Sequence, residues 1–400
     1  MNTVPHQKYY GLGLWSAVSL GIGSIVGAGI FALLGQVVLL AGDKTYLSFL
    51  ISGIIACLCG YTYAKLASVY PESGGLTDYF HNAFQSKIVS GGLSLIYYFT
   101  SAVSICTMAK SFGLYMEQIL PSALPPHLII NICAGGLIFA LGFLNMLASN
   151  DVGRVEIILV ALKVGIMLLL IISALYQFDF KFHAHPINPT TMDFFRSIGI
   201  TFFAYAGFGV ITNAAADVKN PQKTITIAIY LTLGIVVLLY TGLAFVVLNY
   251  IPMSEFYKNT DTAVAVAADR LLGRAGYEVL YLAAIMAFIS GVSATFFSIF
   301  RISRALAYQK VMPRIYKEKF WHKGSYGNFL TVCLITFATV SFDFNEIVNI
   351  SSGAYLVSYL GIFIAGFVLR KKTNISVPIV ITGFALMFSV LIGFLISLIE

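Results

Sequence analysis

Charge is what this sequence has least of. Asp, Glu, Lys and Arg together make up 10% of its 400 residues, where soluble domains carry roughly a quarter. So few charges do not clothe a water-facing surface of this size, so most of the surface faces lipid. Polar–apolar alternation over about ten residues is also missing, which argues against a membrane β-barrel. Cysteine is sparse. Cys57, Cys59, Cys106, Cys133 and Cys333 all lie in apolar runs and form no CxxC, so no metal site or disulfide framework is implied. No low-complexity linker or separate soluble domain interrupts the chain. The first apolar run is too long, too glycine-rich and too late for a cleavable signal peptide.

What is present is a series of apolar runs near the 20 residues needed to cross a hydrocarbon core of about 30 Å. Backbone groups in lipid must be satisfied internally, so these runs read as helices. The pattern predicts one all-α membrane domain over 1–400 with eleven spans, near 12–40, 47–70, 88–119, 127–148, 152–176, 193–216, 222–249, 276–306, 326–342, 347–369 and 376–399. Lys and Arg crowd alternate loops. Lys8, Lys87, Arg154, Lys219, Lys223, Arg301, Arg304, Lys310, Arg314, Lys317, Lys319, Lys323, Arg370, Lys371 and Lys372 share one side, against Lys44, Lys181, Lys258, Arg270 and Arg274 on the other. By the positive-inside rule the N-terminus is cytoplasmic and the C-terminus outside. The formal net charge of +7 is thus a topology signal, and it calls for a lipid bilayer rather than nucleic acid. The stretch 261–275, DTAVAVAADRLLGRA, is amphipathic and reads either as a lid over the outer mouth or as a solvated loop helix.

Two spans are rich in glycine. Span 1 contains GIGSIVGAGIF, with Gly21, Gly23, Gly27 and Gly29; span 6 contains GITFFAYAGFGV, with Gly199, Gly207 and Gly209. Each glycine weakens a helix interior by about 1 kcal/mol relative to alanine, so several in one turn favour unwinding. Gly23 and Gly27 also fit GxxxG helix packing. The occurrence of such segments five spans apart favours the other reading, a binding site between two inverted halves. An unwound turn leaves N–H groups for a carboxylate and carbonyls for an ammonium group, so an amino-acid zwitterion suits it. The GxGxxxG spacing without a βαβ unit excludes a dinucleotide fingerprint, and no cofactor is expected.

Lys163 stands inside VALKVGIMLLL, roughly 11 residues or about 16 Å from the nearer helix end. An ionisable group at that depth costs at least about 2.5–3.5 kcal/mol on insertion scales. Loss of hydration disfavours the charged form of any such group, which suits a proton carrier; a structural lysine bridging helix ends is the alternative. Lys110 reads as a residue snorkelling to the outer interface near Glu117. Asp217 is a candidate for pairing with a Lys or Arg in an inner gate. His183 and His185 read as solvated loop residues, not metal ligands. The acids lie mostly in loops, which disfavours a channel with carboxylate rings, and no converging catalytic groups point to an enzyme.

Four stretches carry a family likeness: GSIVGAGIF at 23–31, YPESGGLTDYFHNAF at 70–84, FFAYAGFGVITNAAADVKNPQKTI at 202–225 and, more loosely, FRISRALAYQKVMP at 300–313. In these the chain resembles the amino acid–polyamine–organocation superfamily of permeases. The fourth departs, having Gln309 and Lys310 where the family has an acidic residue and a glycine. The resemblance implies a five-plus-five inverted-repeat fold, with halves near 12–176 and 193–369 and an added helix near 376–399. It also implies proton-coupled uptake or exchange of amino acids, with a small-molecule amino acid and protons as partners, across a plasma membrane, here a bacterial inner membrane. By position, the substrate carboxylate meets amides near Gly27, Ala28 and Gly29, and the ammonium meets carbonyls near Ile25, Phe203 and Ala206, with Gly207 and Gly209 in the same turn. Phe203 matches an aromatic that closes over substrate. Gly209 stands where several relatives have an acidic side chain, which favours a neutral substrate. The resemblance further places the Lys163 ammonium between helices 1 and 8, near Gly23 and the hydroxyls of Ser290 and Ser293. An exchanger of amino acids or polyamines without net proton flux is the competing reading.

Overall fold

The computed structural model describes residues 12–71, 74–120, 124–147, 152–177, 189–252, 256–257, 259–321 and 324–399. Lys8, Lys181, Lys258 and the His183–His185 pair lie outside them. Among the described residues, nine helical stretches are long and apolar enough to cross a membrane, and Leu14–Gly27 and Tyr326–Ser341 are shorter apolar helices. One of the nine, Ile30–Val69, spans a turn and holds parts of two passes, and Leu14–Gly27 completes the first of them. Eleven passes result, as the apolar runs predict.

The first pass is two helices, α1 (Leu14–Ala28) and α2 (Ile30–Ala41), and α3 (Thr45–Val69) returns. A short, largely buried helix, α4 (Leu76–Ala83), precedes α5 (Lys87–Ile119), α6 (Pro126–Leu147) and α7 (Val152–Tyr176). The sixth pass is α8 (Thr191–Tyr205) and α9 (Gly209–Asn213), joined by a 3₁₀ turn over Ala206–Phe208. Then come α10 (Pro221–Tyr250), α11 (Ala263–Tyr308), α12 (Tyr326–Ser341), α13 (Phe344–Val368), the four-residue α14 (Arg370–Thr373) and α15 (Val377–Ser397). The helix starts are written locally. Thr190 with Asp193, and Asp343 with Glu346, form capping boxes, and Pro221 opens α10, where its missing N–H costs nothing.

The amphipathic stretch is helical. Helix α11 bends at Gly273, whose φ of 70° suits glycine. The arm before the bend buries Val264, Ala267, Ala268 and Leu271 and exposes Asp269 and Arg270, so one face packs on the protein and the other is solvated.

Outward faces of the passes carry large apolar side chains. Ile88, Ile172 and Phe337 are 87%, 63% and 70% exposed, an arrangement that lipid, not water, tolerates. Inside, the first pass packs against α10 and α11, α3 against α10 and α8, and α5 against α13. The α3–α8 seam is polar: Ser48 pairs with Ser197 at 2.7 Å and Ser52 with Thr201 at 2.6 Å. Such bonds between membrane helices contribute about 0.6 kcal/mol each on average.

Candidate functional site

The two interrupted passes meet in the core. In the first, α1 stays helical through Ala28, and Gly29 departs with φ −94° and ψ −101°. Gly23, Ile25 and Gly27 therefore lie inside α1, and the break falls at the end of the glycine run. Ile30, Phe31 and Ala32 open α2 and have no carbonyl within that helix to receive their amides. In the sixth pass the chain tightens to 3₁₀ geometry instead of opening into a loop, and Gly207 presses on Ser24 and Ile25: a Cβ there would stand 2.7 Å from the Ile25 nitrogen. Neighbouring backbones approach closely because this residue has no side chain.

Each expected carbonyl is engaged. Phe203 C=O accepts the Ala206 N–H. Ile25 C=O accepts the Tyr240 hydroxyl at 2.9 Å, and Ala206 C=O accepts the Tyr359 hydroxyl. A carbonyl has two lone pairs, so each retains capacity for a second donor. Phe203 is buried and stacks on Tyr355 with ring centroids 5.4 Å apart. Around Gly209 converge the hydroxyls of Tyr97, Tyr63 and Tyr359, at 2.6, 3.2 and 3.5 Å from where a Cβ would lie; no carboxylate is among these nearest atoms. The aromatic wall is completed by Phe208, edge-on to Tyr63 and Tyr359.

Behind the first pass sits Lys163, fully buried, its Nζ 2.6 Å from Ser290 Oγ. Ser293 is not brought to it: its hydroxyl accepts the Asn145 amide at 3.1 Å. Three residues further along a helix is about 300° of turn, enough to send Ser293 to another neighbour. Beside Ser290, Gly291 touches Gly27: a Cβ on Gly27 would lie 2.6 Å from Gly291 Cα and 2.8 Å from Ala287 O, and a Cβ on Gly291 would lie 3.3 Å from Gly23 O. Close packing thus accounts for Gly27, and Gly23 lies at the same crossing. Ser24 and Thr295 hydroxyls meet at 3.5 Å one turn on.

The two faces of the membrane domain differ. On the N-terminal face, Arg301 of α11 donates to Asp217 Oδ2 at 2.5 Å and to Asn213 C=O at 3.0 Å. Leu12 bridges to Val218 as a strand would, its N–H on Asp217 C=O at 2.6 Å. Gln309 donates to Asp78 at 3.1 Å. On the opposite face lies a cavity of about 350 Å³ lined by Gln36, Leu39, Leu114, Thr260, Asp261, Asp343, Phe344 and Asn345. Across it Gln36 of α2 donates to Asn345 of α13 at 2.7 Å. Lys110 does not snorkel. It is buried and donates to Asn131 Oδ1, Thr339 C=O and Phe342 C=O at 2.8, 2.9 and 3.1 Å, because the end of α12 supplies carbonyls that bind the ammonium more firmly than the interface does.

A family model described as "Amino acid permease" matches residues 12–400. The chain belongs to this amino acid permease family. The superfamily resemblance carried by the four motifs is thereby shown, and the chain is a multi-pass transport protein of the amino-acid class. In Escherichia coli (strain K12), the inner membrane transport protein YbaT is 39% identical over 398 residues, covering 100% of this permease and 93% of that protein. The serine/threonine exchanger SteT of Bacillus subtilis (strain 168) is 26% identical over 372 residues, 91% of the permease and 84% of SteT. The branched-chain amino acid permease BcaP of the same organism is 28% identical over 263 residues, 61% and 56% of the two chains.

Sequence reasoning missed the tyrosines of the permease. Tyr240 and Tyr359 lie 215 and 153 residues from the carbonyls they hold, and no local pattern marks such a contact. Each is one of several hydroxyl-bearing residues in its pass, so nothing in the sequence singles it out. Asn145, which captures Ser293, gave no signal either.

Proposed function

We propose that the permease carries a small neutral amino acid together with a proton into the cell across the plasma membrane, by alternating access. The inverted halves run over about 12–176 and 193–369, and the N-terminus is cytoplasmic. The substrate carboxylate binds amides from Gly29 into the first turn of α2, where the helix dipole is positive. Its ammonium takes the spare lone pairs of Ile25 and Ala206 C=O. Phe203 closes over the bound molecule. A neutral side chain follows from Gly209, around which tyrosine hydroxyls stand and which itself bears no acid. Alternating access is supported by the contrast between an N-terminal face latched by Arg301–Asp217 and an opposite face holding the 350 Å³ cavity.

The observation that carries the coupling claim is Lys163 Nζ at 2.6 Å from Ser290 Oγ, at the point where α1 and α11 cross. A proton leaving or joining this amine changes a charge beside the broken pass, and this shifts the balance between the two access states. The relationship to an inner membrane protein favours a bacterial inner membrane. The similarity to an exchanger supports the alternative, obligatory exchange without net proton flux.

Proteoliposomes decide between them. Uptake of radiolabelled L-serine or L-valine into empty vesicles, driven by an inward proton gradient and abolished by a protonophore, is the expected result. Uptake that needs unlabelled amino acid inside and ignores the gradient overturns proton coupling in favour of exchange.

A further inference from the structure

The chain between the eighth and ninth passes carries charge of mostly one sign. From Lys310 to Lys319 the sequence KVMPRIYKEK holds four cations, Lys310, Arg314, Lys317 and Lys319, against one acid, Glu318. All four cations are exposed. The segment lies on the N-terminal face, since it follows α11 a short way beyond Arg301, which bonds Asp217. The positive-inside rule accounts for cations on this side of the membrane. It does not require them to be held in one place, and here the fold holds them.

Three contacts pin the segment across the ends of neighbouring passes. Val311 lies against Gly91 of α5, where a Cβ would stand 3.2 Å from its Cγ2. The Tyr316 side chain is buried against Gly327 of α12. A two-stranded hairpin pairs Lys319 with Ser325, and its Gly324 rests on Met146 near the end of α6, a Cβ there lying 3.0 Å from the Met146 side chain. Arg314 opens a 3₁₀ turn that ends at Tyr316. The cations therefore stand on fixed backbone, and less ordering is needed when they meet a partner.

Tyrosines frame them. Tyr308 is the last residue of α11 and Tyr326 the first of α12, and both are about half exposed. Lys317 Nζ stands 4.7 Å from the Tyr308 ring centroid. Tyrosines at the ends of membrane passes sit at headgroup level, which sets the depth of the ammonium beside one. A lysine there keeps its stem on apolar surface and its charge among phosphates. Side chains this exposed do not enclose a small free anion, whereas a lipid surface presents many phosphates at once.

We infer that the segment Lys310–Lys319 is a docking surface for anionic phospholipid headgroups, with Arg314, Lys317 and Lys319 taking the phosphates and Tyr308 and Tyr326 setting the depth. Each cation of a polybasic segment beside a membrane gives about a fivefold preference for an anionic surface, within a screening length of about 8 Å at physiological salt. This inference is independent of the substrate and of proton coupling.

The test measures binding of phosphatidylglycerol to the full-length protein in uncharged detergent, read by the anisotropy of an acyl-labelled lipid at constant low ionic strength. Phosphatidylcholine with the same chains is the neutral probe and glycerol phosphate the soluble competitor. Phosphatidylglycerol is expected to bind at least fivefold more tightly than phosphatidylcholine, and a smaller ratio overturns the proposal. Glycerol phosphate is expected not to displace the lipid; displacement near the lipid's own Kd assigns the surface to soluble anions instead. Lys317→Gln with Lys319→Gln is expected to weaken phosphatidylglycerol at least fivefold and to leave phosphatidylcholine unchanged, and a smaller loss overturns the proposal. Lys317→Arg with Lys319→Arg keeps the charge and is expected to lose less than fivefold. Lys219→Gln with Lys223→Gln removes as much charge from exposed positions on the same face and is also expected to lose less than fivefold. A fivefold loss in either pair overturns the proposal, since side-chain packing or total charge would then explain the binding. Wild-type protein supplies a reading that needs no variant: raising the salt is expected to weaken phosphatidylglycerol at least fivefold, and a salt-independent affinity overturns the proposal.

Discussion

Arg301 and Asp217 close the N-terminal face of the permease with a charge-assisted bond of 2.5 Å between residues 84 apart in sequence. The same guanidinium holds the Asn213 carbonyl and lies 4.0 Å from the Phe297 ring centroid. Pass 8 is thereby tied to the chain that leaves pass 6, and Leu12 stitches the start of pass 1 to that same chain. Both side chains keep some exposure, 26% and 11%, so water can reach the pair, as the latch proposed above requires. Asp217→Asn is expected to weaken it by up to about 1.5–3 kcal/mol, the range for hydrogen bonds to charged groups. A Val210→Cys reporter should then react several-fold faster with a membrane-impermeant thiol reagent from the N-terminal side. Equal rates with and without Asp217→Asn would remove the latch.

Lys163→Ala removes the ammonium from the α1–α11 crossing. Proton-driven uptake is expected to fall below a tenth of wild type, while counterflow exchange of the same amino acid persists. Ser290→Ala, which takes away the acceptor at 2.6 Å, should shift the pH at which uptake is half-maximal and leave the protein folded. Full gradient-driven uptake by Lys163→Ala sinks the coupling role.

Lys310 has φ 61°, the left-handed region that favours glycine. It follows the last turn of α11 in a Schellman arrangement, with Lys310 N–H on Ala307 C=O and Val311 N–H on Leu306 C=O. This explains the fourth motif: the lysine keeps the backbone path that relatives make with glycine. Lys310→Gly relieves a left-handed penalty of about 1–2 kcal/mol at an unfolded-chain entropy cost of about 0.4–1 kcal/mol, and a small net stabilisation is expected, read as a higher midpoint in thermal unfolding in detergent. An unchanged or lower midpoint contradicts this.

Lys110 gathers the end of α12, the turn into α13 and α6 around one ammonium. Lys110→Met keeps length and apolar packing but leaves the Thr339 and Phe342 carbonyls without their donor. A loss of about 1–3 kcal/mol is expected, seen as a lower unfolding midpoint, with the substrate Kd changed much less. A drop in affinity at constant stability would instead assign Lys110 to transport.

Much of this was legible in the chain because lipid enforces long apolar runs. The eleven passes fell within a few residues of their predicted limits, and the glycine clusters marked which two would be interrupted. Lys163 was conspicuous as a charge in an apolar helix, and the partner Ser290 followed from the resemblance. The exact residue of the first break was not legible, since four glycines compete and two of them, Gly21 and Gly29, face hydroxyls from α10. Gly27, two residues earlier, is needed for contact with Gly291. Nor was the fate of Lys110: a lysine near a helix end looks the same whether it reaches headgroups or the carbonyls of a neighbouring helix. Pairings such as Tyr240 with Ile25 depend on three-dimensional neighbours that periodicity does not encode.

The near-touch of Gly27 and Gly291 has a mechanical consequence. Two bare stretches of main chain meet there, with the flexible Met108 side chain lying against both glycines, so a change of crossing angle meets little resistance, while pulling the pair apart sacrifices the van der Waals contact between them. Such a junction suits a swivel. If the first pass rocks as proposed above, this point suits a pivot, and Lys163, buried beside it and bonded to Ser290, would meet changed surroundings without leaving the core.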